Sequence, residues 1–421
     1  MTAGRGGRRG VAPFRYRGFT ILWTGALVSN IGTWMETVAL SYYVAETTGK
    51  ATWAAVVGAA GFVPSAVLGP IGSAMSDRLH RGRILVTTNA LSALLTAALA
   101  IIVSTGRATP AIIAVLALCT GSVGAFGFPA FQNALPRLVP REHLVAAVGL
   151  SNAQWNLGRI IGPSLAGIAI ALGGISAALW CNAISFLAVI GCVLAVRLEP
   201  STGRRQAVWS ALMAGFHFAR TNVDMRRMVP LMVITILVGA PFVAFVSQMA
   251  TVVFDGDERA TAVLVAAQGV GAVVGAVTLG WATHRFGLWR VMAGSMAVFA
   301  GSLVLYGSAP TFWVAAIGVA GCGFGYGMSF TTFAGLSQGA ASEDMRGRVL
   351  AVNTFILGAL YPLGALVQGW LSDQVGLPWV TVGSGVVLAI GLAWRVVVIV
   401  SRRPRGPASN DPVRPARPLV T

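Results

Sequence analysis

Twelve apolar runs, each roughly 20 to 30 residues long and separated by short arginine-bearing loops, leave this chain few ways to fold. They fall near 18–45, 51–76, 82–104, 109–136, 143–172, 174–197, 227–253, 260–284, 288–308, 310–338, 347–374 and 377–400. About 20 predominantly apolar residues cross a bilayer once as a helix, and a helix satisfies every backbone group inside hydrocarbon. The runs therefore predict an all-α membrane protein of twelve transmembrane helices, with the lipid bilayer as its first partner. Composition agrees: of 421 residues 56% are hydrophobic and 10% charged, where a soluble domain carries about 25% charged.

The basic residues test the count independently. Groups at Arg5–Arg17, Arg78–Arg83, Arg137–Arg141, Arg197–Arg227, Arg285–Arg290, Arg346–Arg348 and Arg395–Arg417 all fall on one side of the twelve-helix pattern. The other side receives only Lys50, Arg107 and Arg259, and Arg159 stays within a run. Loops rich in Lys and Arg stay cytoplasmic, so both termini are expected in the cytoplasm and the chain in the inner (plasma) membrane. The net charge of +17 thereby finds its use in topology, and no nucleic-acid partner is expected. The first run, from Phe19 to Val44, is too long for a signal-peptide core and reads as an anchor.

The longest internal loop divides the runs into two sets of six. The expected organisation is a basic cytoplasmic N-terminus (1–17), a first half (18–197), a cytoplasmic linker (198–226), a second half (227–400) and a disordered cytoplasmic tail (401–421). Within the linker, Leu212, Phe216 and Ala219 recur at helical spacing, which suits an amphipathic helix on the membrane surface. The halves echo each other. Ser73, Asp77 and Arg78 after the second run correspond to Gly280, His284 and Arg285 after the eighth, and Arg141-Glu142 to Glu343-Asp344. Such parallel repeats characterise transporters built from two six-helix halves.

One stretch departs from plain hydrocarbon chemistry. Gly149 to Gly167 reads G-L-S-N-A-Q-W-N-L-G-R-I-I-G-P-S-L-A-G. On a helix, Asn152, Asn156, Arg159 and Pro163 share one polar face, while Gly158, Gly162 and Ala166 form a small-residue row beside it. Polar residues kept at such depth mark function. Arg159 lies about 16 residues into the fifth run and Glu36 about 18 into the first, at similar depth for about 1.5 Å of rise per residue. An unpaired charge there costs roughly 2.5 to 3.5 kcal/mol, so a pair is expected. Glu36 is then either a proton-carrying carboxylate or half of a fixed ion pair between helices.

The loop S-A-M-S-D-R-L-H-R-G-R (Ser73 to Arg83) sets an aspartate at a helix end beside arginines, a group able to lock helix ends at the cytoplasmic face. With it the chain is similar to the major facilitator superfamily, whose loop between helices 2 and 3 reads G-x-L-a-D-R-x-G-R-R. Asp77, Arg78 and Arg81 match, and Ser73 and His80 replace its glycines. Gly149, Gly158, Gly162, Pro163 and Gly167 match the fifth-helix pattern of its proton-driven antiporters, G-x8-G-x3-G-P-x2-G-G, with Ala166 in place of one glycine. The segments F-R-Y-R-G-F-T-I-L-W, Phe128 to Val148 and Met345 to Asn353 resemble the enterobactin-exporter and macrolide-efflux branch. The resemblance implies the major facilitator fold and export by antiport, energised by a proton gradient without a cofactor. One feature departs from the pattern: the fourth helix lacks the arginine those antiporters often carry.

Asn30, Trp34, Asn152, Asn156, Phe126, Phe131, Phe245, Tyr326 and Phe330 are candidates to line an adaptable cavity for a small-molecule substrate, with Met249 and Phe333 as further aromatic and thioether candidates. The glycine runs at Gly121-Gly124-Gly127 and Gly321-Gly323-Gly325-Gly327 occupy equivalent places in helices 4 and 10, either as bending points or as close-packing faces. Cys119, Cys181, Cys192 and Cys322 read as small core residues. No phosphate-binding glycine loop is present, and His80, His143, His217 and His284 lack metal spacing, so neither catalysis nor a metal is expected. The function expected is export of an amphipathic small molecule (a drug, siderophore or similar metabolite) by a monomer. Uptake or facilitated diffusion of a metabolite is the alternative within transport, and a non-transporting membrane sensor or interaction protein the alternative outside it.

Overall fold

The computed structural model describes residues 12–196, 198 and 208–401. Twelve crossings are built from α1 (Arg17–Thr48), α2 (Ala51–Arg78), α3 (Arg81–Ser104), α4 (Pro110–Ala134), α5 (Leu144–Ala195), α6 (Val208–Thr221), α7 (Val223–Val253), α8 (Glu258–Phe286), α9 (Leu288–Gly307), α10 (Phe312–Ala340), α11 (Glu343–Val375) and α12 (Leu377–Ser401). α5 supplies two of them, because it doubles back at Gly173 and Gly174. Gly174 has φ +72°, in the left-handed region that a side chain rarely tolerates. α6 is the linker helix. Its Gly215 lies where a Cβ would meet the Arg348 carbonyl at 2.6 Å, and Phe216 packs edge-on against Phe355. It is therefore docked on α11 as well as amphipathic.

Ten segments among the described residues are long and apolar enough to span a membrane. α1 is not among them, since its middle carries Asn30, Thr33, Glu36 and Thr37. The outer surface is apolar, with Leu172 at 84% exposure and Val277 at 76%, as a surface facing lipid requires. Trp281, Trp313, Trp370, Trp379 and Trp394 are also exposed near helix ends, where interfacial rings belong. Cys119 and Cys181 belong to this exposed surface and Cys192 is half-buried; only Cys322 is the core residue expected. A short Cys side chain is apolar enough to face lipid.

α7 is the irregular crossing. An α-helix to Ile234 gives way to a wide turn at Thr235–Gly239, a tight segment at Ala240–Phe245 and a second wide turn at Met249–Val253. Pro241 has no N–H to offer the carbonyl four residues back, which is that of Leu237. Gln368 of α11 repairs the loss, its Nε2 donating to the oxygens of Leu237 at 3.3 Å and Val238 at 2.8 Å. Gly364, one turn earlier on α11, lets the two backbones approach.

The buried core is not uniform along the bundle. One continuous cluster joins Val44, Ala55 and Ala166 of the first half to Met249, Leu264 and Ala365 of the second at the end remote from the termini, and continues within the second half to Met225 and Val349 at the other end. At the end nearest the chain's start, Phe19, Leu22, Leu85, Leu135 and Val193 form a separate cluster within the first half. The halves are thus joined at the far end.

Candidate functional site

α1 presents different chemistry on each of its faces. Toward the first arm of α5 it offers Asn30, Ile31 and Trp34. A Cβ on Gly158 would lie 2.8 Å from Asn30 Cβ, and one on Gly162 would lie 2.5 Å from Trp34 Cβ and 2.8 Å from the Ile31 oxygen. Gly167 meets Ala262 of α8 across the halves. Gly158, Gly162 and Gly167 are therefore a packing surface, used twice within the first half and once between halves.

Glu36 lies about 200° around α1 from Trp34, on the face of Gly32, and so points away from the first arm of α5. Its Oε2 accepts hydrogen bonds from Thr96 Oγ1 of α3 at 3.0 Å and from Asn182 Nδ2 of the second arm of α5 at 2.5 Å. Ser185 donates in turn to Asn182 Oδ1 at 3.0 Å. Thr96 and Asn182 are each 1% exposed. Gly32 is required here, because a Cβ would strike both Asn182 and Ser185. The described partners of Glu36 are thus neutral donors. The side chains of Arg159, Asn152, Asn156, Asp77 and Arg78 lie outside the described residues, as do the side-chain surroundings of Gly149 and Pro163. Ser185 also lines an apolar groove of about 520 Å³ between α1 and the two arms of α5, bounded by Val28, Met35 and Leu172.

The face of α1 between these two, with Trp34, Thr37 and Ser41, meets Val246 and Ser247 of α7 and Gln268 of α8 around a cavity of about 40 Å³. Val38, Val243 and Val265 complete a mainly apolar lining between the halves, into which Thr37, Ser41, Ser247 and Gln268 bring the polar groups. Trp34 stands 6.1 Å from Trp155, which stands 5.9 Å from Phe128 of α4. Trp155 is 40% and Phe128 48% exposed, so this trio leaves ring surface uncovered across α1, α5 and α4. On the second half Phe299, Phe242, Tyr326 and Phe330 form a ladder with successive centroids 5.5 to 6.2 Å apart. Phe330 is its open end, and Tyr326 and Phe245 are buried. Phe245 therefore belongs to the core, and Phe131 packs on the separate cluster of the first half. Phe245 closes the tight Ala240–Phe245 segment of α7, and Phe131 is half-buried. Phe126 is half-buried where α4 crosses Gly72 of α2. Arg81 is buried at the first position of α3.

The glycine runs resolve toward packing. Gly121 abuts the Gly61 carbonyl of α2, Gly127 meets Thr88 of α3, Gly321 meets Ser302, Gly323 abuts the Gln268 carbonyl and Gly325 meets Phe299. Only Gly124 has open space, and Gly327 has none closer than 3.8 Å. The sharp bends fall at Gly173–Gly174 and in α7 instead. Sequence reading passed over Thr96, Asn182, Trp155, Phe128, Ser247 and Gln268. Asn182 was within reach as a lone amide in an apolar run, the signal that drew attention to Asn152. Among the described residues no group of His, Cys, Asp and Glu could hold a metal ion.

This helical architecture agrees with known proteins. The multidrug efflux pump Tap of Mycolicibacterium fortuitum is 26% identical over 366 residues, 84% of this chain and 88% of that one. Macrolide efflux protein A of Streptococcus pyogenes is 23% identical over 392 residues, 89% and 94% of the two chains. The crystal structure of the nucleoside transporter NupG shares the fold, with TM-score 0.70 at 12% identity over 91% of this chain and 99% of that one. The family described as transmembrane secretion effector matches residues 8–414. The chain belongs to that family, within the efflux branch of the major facilitator superfamily, and is a membrane transporter rather than an enzyme.

Proposed function

We propose that this chain exports an amphipathic small molecule, a drug or siderophore-like metabolite, across the plasma membrane by alternating access, in exchange for protons and without a cofactor. Export is supported by kinship with efflux proteins, and cytoplasmic termini by the arginine distribution. The moving bodies are residues 18–197 and 227–400, linked through 198–226, within one monomer. The substrate is held between Trp34, Trp155, Phe128 and Phe330, with Thr37, Ser41, Ser247 and Gln268 supplying polar contacts, a composition suited to amphipathic ligands.

The observation that carries the coupling half is the Glu36 carboxylate held by Thr96 and Asn182 inside the first half. Those donors position the carboxylate without neutralising it, so Glu36 can gain and lose a proton within a fixed frame. It stands on the Gly32 face of α1, about 100° around the helix from Thr37. Proton and substrate therefore communicate through movement of α1 rather than by competing for one pocket. Arg159 remains part of the proposal as a charge for substrate or coupling. The test is flux in proteoliposomes against imposed pH gradients of either sign. Glu36→Gln keeps an acceptor for both donors but cannot titrate. It is expected to bind substrate and lose uphill export; retention of proton-coupled export by this variant overturns the role. Accumulation with the gradient reversed would point to uptake.

A further inference from the structure

We propose that Asp373 and Gln248 form a latch that grips the α1–α2 hairpin and holds the far end of the transporter shut. The inference rests on alternating access. α2 begins at Ala51 after Lys50, which provides no side-chain cap. The first N–H groups of a helix have no partner within it, and here a distant helix supplies one. Asp373 of α11 accepts from Ala51 N at 2.7 Å through Oδ1, and from Thr52 N at 3.2 Å and Thr52 Oγ1 at 2.5 Å through Oδ2. An anionic carboxylate at a helix N-terminus is favourably placed with respect to the helix dipole.

The same hairpin is held from its other side. Gly49, with φ +61°, ends α1, and its carbonyl accepts from Gln248 Nε2 of α7 at 3.0 Å. Two helices of the second half thus take both the free donors and a free acceptor of one turn of the first. Gly369 brings the helices together there, since a Cβ on it would lie 2.8 Å from Ala55 Cβ and 2.9 Å from the Ala51 oxygen.

Two features make this a releasable contact and not a permanent weld. Asp373 is exposed, so water replaces each bond it gives up. Gln248 is 3% exposed, yet its Oε1 has no hydrogen-bond partner among the described residues, so the amide is only partly satisfied in the closed state. The first-half residues of the shared core lie toward this end, while the first half keeps a core of its own at the other, so the latch sits where the halves must part for the cavity to open on the far side.

The experiment uses the full chain in nanodiscs with its four cysteines replaced by alanine and spin labels at Arg107→Cys and Ser308→Cys. Both sites are exposed, one in each half at the latched end. Distances between labels are read by pulsed electron resonance with no substrate and no pH gradient. Asp373→Ala is expected to raise the longer-distance population at least threefold, and Asp373→Ala with Gln248→Ala further, while Gln374→Ala leaves it unchanged. Thr52→Val, which removes one bond and keeps the helix, gives a smaller rise and decides the matter if Asp373→Ala does not fold. An unchanged distribution in the folded latch variants overturns the proposal. Absence of flux with every substrate would sink the transport reading while leaving these distances to stand or fall alone.

Discussion

Alanine substitution along two glycine rows separates packing from bending in this bundle. At Gly162 the added methyl would sit 2.5 Å from Trp34 Cβ and 2.8 Å from the Ile31 oxygen, whereas carbon atoms rest at about 3.5 to 4.0 Å. The shortfall of about 1 Å cannot be absorbed by rotating a side chain, because Ile31 contributes backbone. α1 and α5 must separate, and overpacking of this kind costs roughly 1 to 3 kcal/mol. Alanine returns roughly 0.5 to 1 kcal/mol through its helix propensity, so the expected net destabilisation of Gly162→Ala centres on about 1 kcal/mol, within roughly 0 to 2.5 kcal/mol. Gly124 has nothing within 4 Å, and Gly124→Ala should be neutral or slightly stabilising by the same reasoning. The assay is unfolding of the purified protein in lipid–detergent mixtures, followed by tryptophan fluorescence at fixed denaturant, beside transport rate in proteoliposomes. Equal stability of Gly162→Ala and the parent would refute the packing argument. A Gly124→Ala variant that keeps its stability but loses transport would show that the row bends after all.

The repaired break in α7 gives a second expectation. Gln368→Leu fills similar space but uncovers the Leu237 and Val238 carbonyls, and an unsatisfied buried acceptor costs roughly 1 to 3 kcal/mol; the same unfolding assay should register it, and Gln368→Glu, which cannot donate when ionised, should do no better. At the other end of the bundle, Asp77, Arg78 and Arg81 are proposed to lock the cytoplasmic helix ends in the outward-open state. Asp77→Asn should then slow export, measured as initial flux, and an unaltered rate would remove the lock from the mechanism.

The twelve crossings were legible because each apolar run is long and each loop keeps its arginines on one side, two signals that depend on local sequence. The glycine motif of the fifth crossing was legible for the same reason: it is a spacing along one helix, and Gly158 and Gly162 do face α1. The partners of Glu36 were not. Depth alone suggested Arg159, whose side chain lies outside the described residues, and depth leaves rotation about the helix axis free, so it could not point to Asn182, toward which the roughly 200° between Trp34 and Glu36 turns the carboxylate. The latch was hidden for a related reason, since Ala51 and Asp373 are 322 residues apart and only the packing of the halves brings them together. α7 read as an ordinary crossing because its apolar content hides the consequence of Pro241, whose missing donor shows only when the carbonyl it leaves is traced to Gln368.

α1 is the element through which these separate observations can act on one another. Its Gly32 face carries Glu36 against α3 and α5, its Trp34–Thr37–Ser41 face borders the space between the halves, and its last residue, Thr48, leads into the Gly49 carbonyl that Gln248 holds. A rigid helix transmits a rotation along its whole length, whereas a side chain that moves alone transmits nothing. In the coupling proposed above, protonation of Glu36 would change what Asn182 and Thr96 grip, and the first consequence open to α1 would be a small turn about its axis. Such a turn would move Thr37 and Ser41 in the cavity and draw Gly49 away from Gln248 in the proposed latch. The proposed coupling by this route would need no charge shared between proton and substrate sites, and so no arginine in α4.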